Sequence, residues 1–259
     1  MQVALESNAV FLGIEYLAIL CWGLSGGLAA IQKGYDIFSI MLCGWLTALG
    51  GGLFRDVMLG DLPPVGITDK GFVLTTLFSG AIAVVAHPEI RQLKWTMIVV
   101  DALGLGLFAV NGTAKALAFG TSGMTAIFLG MFTALAGGLI RDIFLGDVPM
   151  IIRDRHLYAI PSFVGCILTV LAWRGSEHGL FDMRSEMVLD ILIVVVVVLI
   201  RVLSVAFNVT MPGAVPRTHV YLPGEKRYLQ RPDITPRSSS NVDNDEFVEN
   251  ESGEDSDAQ

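Results

Sequence analysis

Charged residues are scarce in this sequence: Asp, Glu, Lys and Arg make up 16% of its 259 residues, against 53% hydrophobic residues. A soluble domain of this length needs more charge to cover its surface, and the mean hydropathy is +0.62. The composition therefore indicates an integral membrane protein. Basic residues are too few to form a positive surface, which excludes a nucleic-acid-binding protein.

Cysteine and catalytic motifs are equally sparse. The three cysteines, Cys21, Cys43 and Cys166, all fall in apolar segments without CxxC spacing, so they predict buried packing rather than a disulfide or metal site. The four histidines lack metal-ligand spacing, and GxSxG, HExxH and P-loop motifs are absent from the sequence. We therefore expect no enzyme, no metal site and no cofactor beyond a permeant ion and a bound lipid.

Seven apolar stretches are candidates for crossing a bilayer. A hydrocarbon core of about 30 Å takes about 20 helical residues. By that length the predicted spans are 9–32, 37–59, 71–87, 95–118, 123–145, 156–174 and 187–207. The third is short for a full crossing. The predicted fold class is an all-α integral membrane protein with seven transmembrane helices.

An internal repeat is the strongest signal. TALGGGLFRDVMLGDLP at 47–63 recurs as TALAGGLIRDIFLGDVP at 133–149, an offset of 86 with 12 of 17 positions identical. Since each copy holds three spans, an odd number, the second copy must enter the membrane from the opposite side. This predicts an inverted 3+3 repeat. Its predicted segments are repeat 1 at 9–94, repeat 2 at 95–174 and an appended seventh helix at 187–207.

The distribution of charged residues predicts the orientation of the protein in the membrane and the nature of its terminal segments. If the N-terminus lies outside, the inner loops carry the basic residues Lys33, Arg91, Lys94, Arg153 and Arg155. The outer loops then hold only Lys70, Arg174 and Arg184. Residues 1–8 form a short N-terminal segment. Eight acidic and no basic residues follow Ser238, so we predict a disordered, acidic cytoplasmic tail at 213–259.

Glycines interrupt the second and fifth spans. Gly50, Gly51 and Gly52 lie in one, and Gly137 and Gly138 in the other. A glycine destabilises a helix interior by roughly 1 kcal/mol relative to alanine. The glycines could allow close helix packing. They could instead kink or unwind the helix so that freed carbonyls and half-helix ends face an ion path.

Charge follows these glycines directly, as Arg55-Asp56 and Arg141-Asp142. Charged side chains within the membrane are energetically unfavourable unless they are paired or face water, so the duplicated motif favours a path for a small solute. The alternative is that both arginines are snorkelling anchors at the interface. Local pairs and the cross-repeat pairs Arg55 with Asp142 and Arg141 with Asp56 are equally plausible at this point.

Further polar residues lie within the spans. Glu15 and Asp101 occupy equivalent repeat positions, where a carboxylate could stabilise a helix start or attract a cation. Lys115 is late in the fourth span, near the outer face, where it could snorkel or influence conduction. Asp190 and Arg201 share one face of the seventh span and are predicted to anchor its two rims.

At these motifs the chain resembles a known family. GGGLFRDVMLGDLPPV, AGGLIRDIFLGDVPMI and GTAKALAFG at 112–120 resemble the prokaryotic trimeric intracellular cation (TRIC) channel family, also called the glycine transporter domain family. The resemblance covers roughly residues 9–207. It implies seven spans and a homotrimer in the bacterial inner membrane. Each protomer is then expected to hold one pore for potassium and other monovalent cations, lined by glycine-kinked second and fifth helices.

Carried onto this sequence, the resemblance assigns the kinks to Gly50, Gly51, Gly52, Gly137 and Gly138. It assigns the pore charges to Arg55, Asp56, Arg141 and Asp142. Lys115 falls on the helix that the family uses in gating. Ala136 replaces the first glycine of the second copy, which predicts a less sharp kink there, and the eukaryotic lipid-binding signature is not evident at Lys115.

Three functions are consistent with these features of the sequence. The first is a monovalent cation channel. The second is a transporter of glycine or another small amino acid, with half-helix N-termini holding the carboxylate and an acidic group holding the ammonium. The third is a membrane scaffold or regulatory subunit that acts through its acidic tail.

Overall fold

The computed structural model describes residues 9–85, 90–153, 156–179 and 183–210. These residues form seven long helices and two short ones. In chain order they are α1 Ala9–Gln32, α2 Ile37–Leu59, α3 Val65–Thr68, α4 Lys70–Val85, α5 Ile90–Ala118, α6 Gly123–Phe144, α7 Met150–Arg153, α8 Ala159–Glu177 and α9 Met183–Ala206. The predicted segments at 1–8 and 213–259 lie outside the described residues.

The seven long helices correspond to the seven predicted spans. Six of them are long and apolar enough to cross a membrane, and α4 is a shorter apolar helix of 16 residues. The predicted bounds of the second span agree with α2, whereas α5 begins at Ile90 rather than 95. Hydropathy marks the part of a helix that lies in lipid, and a polar first turn extends beyond it. The short helices α3 and α7 were not predicted.

The two copies begin their second helix in the same way. The Asp36 side chain accepts from the Ser39 amide before α2, and the Ser122 side chain accepts from the Thr125 amide before α6. These caps are 86 residues apart. The hydrogen bond from the Ser39 amide lowers the pKa of the exposed Asp36 carboxyl.

Helix packing repeats between the halves, as the inverted repeat requires. In the first copy α1 packs on α2 and α4, and in the second α5 packs on α6 and α8. Helices α1 and α5 also contact each other at the centre, and α5 is the most buried span, with 78% of it covered. Helix α9 packs on α5 and α8. The seventh helix is therefore an addition to the second copy.

Helices α2 and α6 cross in close contact through their glycines. A Cβ on Gly51 would overlap the Thr133 carbonyl oxygen, and a Cβ on Gly137 would lie 2.6 Å from the Thr47 carbonyl oxygen. From Thr47 to Gly51 the chain advances along α2, while the residues they contact go back from Gly137 to Thr133 along α6. The two helices are therefore antiparallel. Thr47 and Thr133 are themselves 86 residues apart, which makes the crossing reciprocal.

Both helices stay helical through the glycines, α2 from Ile37 to Leu59 and α6 from Gly123 to Phe144. The alternative in which the helices unwind at these positions is therefore wrong, whereas the kink assigned to them stays a prediction. The alternative of close packing describes the contacts at Gly51 and Gly137, because only glycine leaves room for the opposite backbone. Gly50 serves the same contact, against Ile140 of α6, whereas Gly138 faces Trp22 of α1 and Tyr158. A Cβ on Gly52 would come no closer than 3.9 Å to the Arg55 guanidinium.

Candidate functional site

Two charged networks flank the crossing of α2 and α6. Arg55 follows Gly51 by four residues, and Arg141 follows Gly137 by four. Four helical residues rise about 6 Å. Because the helices are antiparallel, each arginine lies about one turn beyond the crossing, on opposite sides of it. The repeat thus builds one network toward each face of the membrane.

The first network is centred on Arg55, whose side chain is 2% exposed. Its Nε donates to Asp56 Oδ1 at 2.8 Å, its Nη1 to Asn111 Oδ1 at 2.8 Å and its Nη2 to Glu15 Oε1 at 3.4 Å. Asp56 Oδ2 accepts from the Val65 amide at 3.2 Å, at the start of α3. Three helices and a short fourth one therefore meet at this guanidinium.

Lys115 joins the first network from α5. Its Nζ donates to Asp56 Oδ1 at 2.9 Å. It also lies 2.8 Å from Asp61 Oδ2 in a close ion pair. Its side chain is 4% exposed. Snorkelling, one of the two alternatives for Lys115, is therefore wrong: the ammonium is held between two carboxylates inside the fold.

The second network is centred on Arg141, which is fully buried. Its Nε donates to Asp142 Oδ1 at 2.9 Å, and its Nη1 donates to Asp101 Oδ1 at 2.6 Å and to Ser25 Oγ at 2.5 Å. Asp142 Oδ2 accepts from the Met150 amide at 2.6 Å, at the start of α7. In each half, a short helix that was not predicted, α3 or α7, therefore begins with a backbone amide that donates a hydrogen bond to the aspartate of the repeated Arg-Asp motif.

Both arginines form their ion pairs within their own repeats. Each arginine pairs with its neighbouring aspartate and with the carboxylate from the first helix of its own repeat. The cross-repeat pairs Arg55 with Asp142 and Arg141 with Asp56 are not formed. The arginines reach the opposite repeat through neutral groups, Asn111 and Ser25, and the charged contacts between repeats are made by lysines, Lys115 and Lys33.

The arginines are not anchors at the membrane interface. Both lie inside the helical bundle, so the snorkelling alternative is wrong for Arg55 and Arg141. Arg201, expected at the rim of the seventh helix, is also buried: its Nη1 donates to the Leu157 carbonyl at 3.3 Å, and its guanidinium lies 4.7 Å from the Tyr158 ring centroid. Removing one partner of a buried ion pair typically costs about 3–5 kcal/mol.

Several contributing residues were not singled out from the sequence. Ser25 and Asn111 are 86 residues apart, and the repeat offset could have identified them as a pair of equivalent polar positions. Trp22 covers Gly137 and Gly138, and the Tyr158 hydroxyl lies against Gly138. No periodic signal marks these aromatic residues, because they belong to different helices.

The two networks differ in one cation. The repeat offset pairs Lys115 with Ala29, so the second network has no equivalent lysine on α1. Asp147, the counterpart of Asp61, pairs instead with Lys33 at 2.6 Å, and this pair is about one-third exposed. Among the described residues, no group of three or more His, Cys, Asp and Glu side chains could hold a metal ion.

The sequence profile of the family described as Glycine transporter matches the chain twice, at residues 12–88 and 98–174. The two matches coincide with the two copies of the repeat. Curated relatives are bacterial membrane proteins. The UPF0126 membrane protein of Deinococcus radiodurans is 31% identical over 153 residues, 59% of this chain and 71% of that protein. The UPF0126 inner membrane protein YadS of Escherichia coli strain K12 is 28% identical over 200 residues, 77% of this chain and 93% of that protein.

Solved structures share the fold. The TRIC trimeric intracellular cation channel orthologue from Rhodobacter sphaeroides is 27% identical, with a TM-score of 0.69 over 78% of this chain and all of that one. A TRIC cation channel solved to explain conductance is 26% identical, with a TM-score of 0.67 over 80% of this chain and 98% of that one. The inverted arrangement of helices is therefore shared with channels of known structure.

Proposed function

This chain belongs to the glycine transporter family, also known as the TRIC family, and we propose that it is a potassium-conducting channel with one path in each protomer of a homotrimer. The family is one of membrane transport proteins and not of enzymes. The chain is a multi-pass membrane protein of a bacterial family. We propose that it lies in the inner membrane with its N-terminus outside and its C-terminus in the cytoplasm.

The proposal depends on one observation: two buried arginine–carboxylate networks flank a close helix crossing at membrane depth. Ionisable groups inside a membrane are costly and are used mainly where an ion or solute passes. A single buried ion pair could serve packing alone. Two equivalent networks on opposite sides of one crossing instead give a path with charged groups on either side of a narrow point.

The path runs along α2 and α6 in this proposal. Gly51 and Gly137 hold the two helices in contact where backbone oxygens of Thr133 and Thr47 approach the opposite helix, and the path passes beside this contact at its narrowest point. Carboxylates above and below this point, among them Asp56 and Asp142, attract cations and repel anions. Lys115 lies at the first network, where its ammonium lowers the cation affinity of the adjacent carboxylates.

Bilayer recordings test the proposal. The purified full-length protein in a planar bilayer should give discrete conductance, and the reversal potential in a KCl gradient should lie near the potassium value. Gly51→Leu and Gly138→Leu should abolish or reduce this conductance, because a side chain at Gly51 would collide with the Thr133 carbonyl of α6 and one at Gly138 would collide with Trp22 and Tyr158. Gly13→Leu is the matched control, since a Cβ there meets nothing within 4 Å.

Two results would overturn the channel. One is electrical silence of wild-type protein that gel filtration and cross-linking show to be folded and trimeric. The other is an equal loss of conductance in the Gly13→Leu control, which would mean that the effect is not specific to the crossing.

Transport of glycine is the second candidate, because the family description names that substrate. Radiolabelled glycine uptake into proteoliposomes should then saturate with concentration and be inhibited by similar amino acids. We expect no saturable glycine uptake from the channel. Saturable uptake without ionic conductance would favour the transporter instead.

A further inference from the structure

Two oxygen atoms at the second network have no hydrogen-bond partner among the described residues. They are Asp101 Oδ2 and the Tyr158 hydroxyl, and both side chains are at least nine-tenths buried. Buried polar oxygens are nearly always paired, so such exceptions commonly mark a bound water or ion. Their position inside a membrane protein makes an unsatisfied state especially costly.

Both oxygens belong to the surroundings of Arg141. Asp101 presents its other oxygen, Oδ1, to Arg141 Nη1 at 2.6 Å. The Tyr158 hydroxyl lies against Gly138, one turn before Arg141 on the same helix. The hydroxyl lies in the electrostatic field of two carboxylates and two guanidinium groups, those of Asp101, Asp142, Arg141 and Arg201.

Each network holds one carboxylate more than its cations. In the first network two cationic groups, Arg55 and Lys115, contact three carboxylates, Glu15, Asp56 and Asp61. In the second network the Arg141 guanidinium contacts both carboxylates, Asp101 and Asp142. The position equivalent to Lys115 is Ala29, which brings no charge. Arg201 stacks on the Tyr158 ring and donates to the Leu157 carbonyl.

The tyrosine hydroxyl is a feature of this half alone. The repeat offset pairs Tyr158 with Phe72, which is buried in the first half and packs edge-on against Tyr16 with ring centroids 4.9 Å apart. The fold therefore accommodates a plain phenyl ring at this position. The hydroxyl is an addition to the half that lacks a buried lysine.

We propose that Asp101 Oδ2 and the Tyr158 hydroxyl oxygen hold a partly dehydrated monovalent cation beside Arg141, with water molecules completing its coordination. Carboxylate and hydroxyl oxygens suit hard cations. The ring of Trp22, which covers Gly138, has the Arg141 guanidinium 5.8 Å from its centroid. The cation balances the one carboxylate that the second network holds in excess of Arg141.

This site rests on the proposed channel function only for the identity of the ion, since potassium is the proposed permeant. It predicts an asymmetric channel with a resident cation on the side of α6 and a tethered ammonium on the side of α2. A permeating ion would then exchange with the resident one at Asp101.

Thallium, a potassium substitute with strong anomalous scattering, tests the site directly. Crystals of the full-length trimer grown in thallium nitrate should show an anomalous peak between Asp101 and Tyr158 in each protomer. Tyr158→Phe should remove the peak or reduce its occupancy. Tyr16→Phe, which deletes a phenolic hydroxyl in the first half, should leave the peak unchanged.

A solution measurement covers variants that do not crystallise. The melting temperature of detergent-solubilised protein should rise with potassium and reach a plateau, at ionic strength held constant with N-methylglucamine. Loss of a supporting group at a metal site typically weakens binding about 10–100-fold. Tyr158→Phe should therefore shift the potassium midpoint upward by about tenfold or more, and Tyr16→Phe should not.

An ordered water at these oxygens, with no thallium peak and no potassium-dependent stabilisation, would overturn the site. An equal potassium midpoint in wild type and Tyr158→Phe would do the same. Conductance is measured separately on the same preparation, so a conducting protein without the site contradicts this inference alone. A silent protein that binds thallium contradicts the channel alone.

Discussion

Ser25 and Asn111, which are 86 residues apart, each accept a hydrogen bond from the arginine of the opposite repeat. Ser25 on α1 binds Arg141, and Asn111 on α5 binds Arg55. Each copy therefore completes the charged network of the other. A rotation of α1 or α5 changes both networks together, so the two halves of the proposed path are mechanically linked.

The close crossing of α2 and α6 predicts that alanine destabilises the folded protein at two glycines and not at a third. Gly51→Ala and Gly137→Ala should each destabilise the folded protein by about 1–3 kcal/mol, the usual cost of overpacking. Gly52→Ala has open space and should instead stabilise by up to about 1 kcal/mol through helix propensity. Denaturant unfolding in detergent measures all three. Equal effects at Gly51 and Gly52 would show that the crossing is not close.

The carboxylates from the first helix of each repeat should differ in importance. Asp101 lies 2.6 Å from its arginine and Glu15 lies 3.4 Å from its own. Asp101→Asn should cost about 3–5 kcal/mol of unfolding free energy, as for a broken buried pair. Glu15→Gln should cost about 1.5 kcal/mol, because Arg55 keeps short bonds to Asp56 and Asn111. The same denaturant titration compares them, and a larger loss for Glu15→Gln would contradict this ranking.

Removal of the Lys115 charge should alter conduction. Lys115→Met leaves Asp56 and Asp61 without their ammonium, so we expect a larger potassium conductance and a changed current–voltage curve. The matched control is Lys33→Met, which breaks an exposed pair worth at most about 1 kcal/mol. Single-channel recording with both variants distinguishes them. Identical current–voltage curves for Lys115→Met and wild type would place Lys115 away from the path.

The acidic tail should be dispensable for conduction. A chain truncated after Thr210 keeps every residue of the two networks and should retain wild-type conductance and potassium selectivity. Bilayer recording of the truncated trimer measures this directly. Complete loss of activity in a folded, truncated trimer would instead support the scaffold or regulatory function of the tail.

Much of the fold can be predicted from the sequence, because hydropathy and the internal repeat depend only on residue types and their spacing along the chain. The second span was predicted at 37–59, where α2 is found, and the offset of 86 correctly indicated two copies. The charged motif was also recognisable, since Arg55-Asp56 and Arg141-Asp142 interrupt apolar segments. Helices α3 and α7 were missed because each has only four residues and no periodicity to detect.

The candidate site was predicted only in part. Glu15, Asp101 and Lys115 were selected as intramembrane charges, but their partners depend on how helices rotate against one another. Lys115 was expected near the outer face, where it could snorkel or influence conduction, because it lies late in the fourth span. Its burial arises from Asp61, a residue 54 positions earlier in the chain that folds back beside α5.

The sequence by itself determined the seven helices, the inverted duplication and the positions of charge, because each depends on residue type and spacing along one chain. Tertiary structure alone decided that the glycines pack a helix crossing and that each arginine binds its own repeat's carboxylates. It also decided that Tyr158 lies beside Arg141. Spacing sets which face of a helix a residue occupies, whereas contacts between helices depend on their relative rotation and depth, which only the packed core determines.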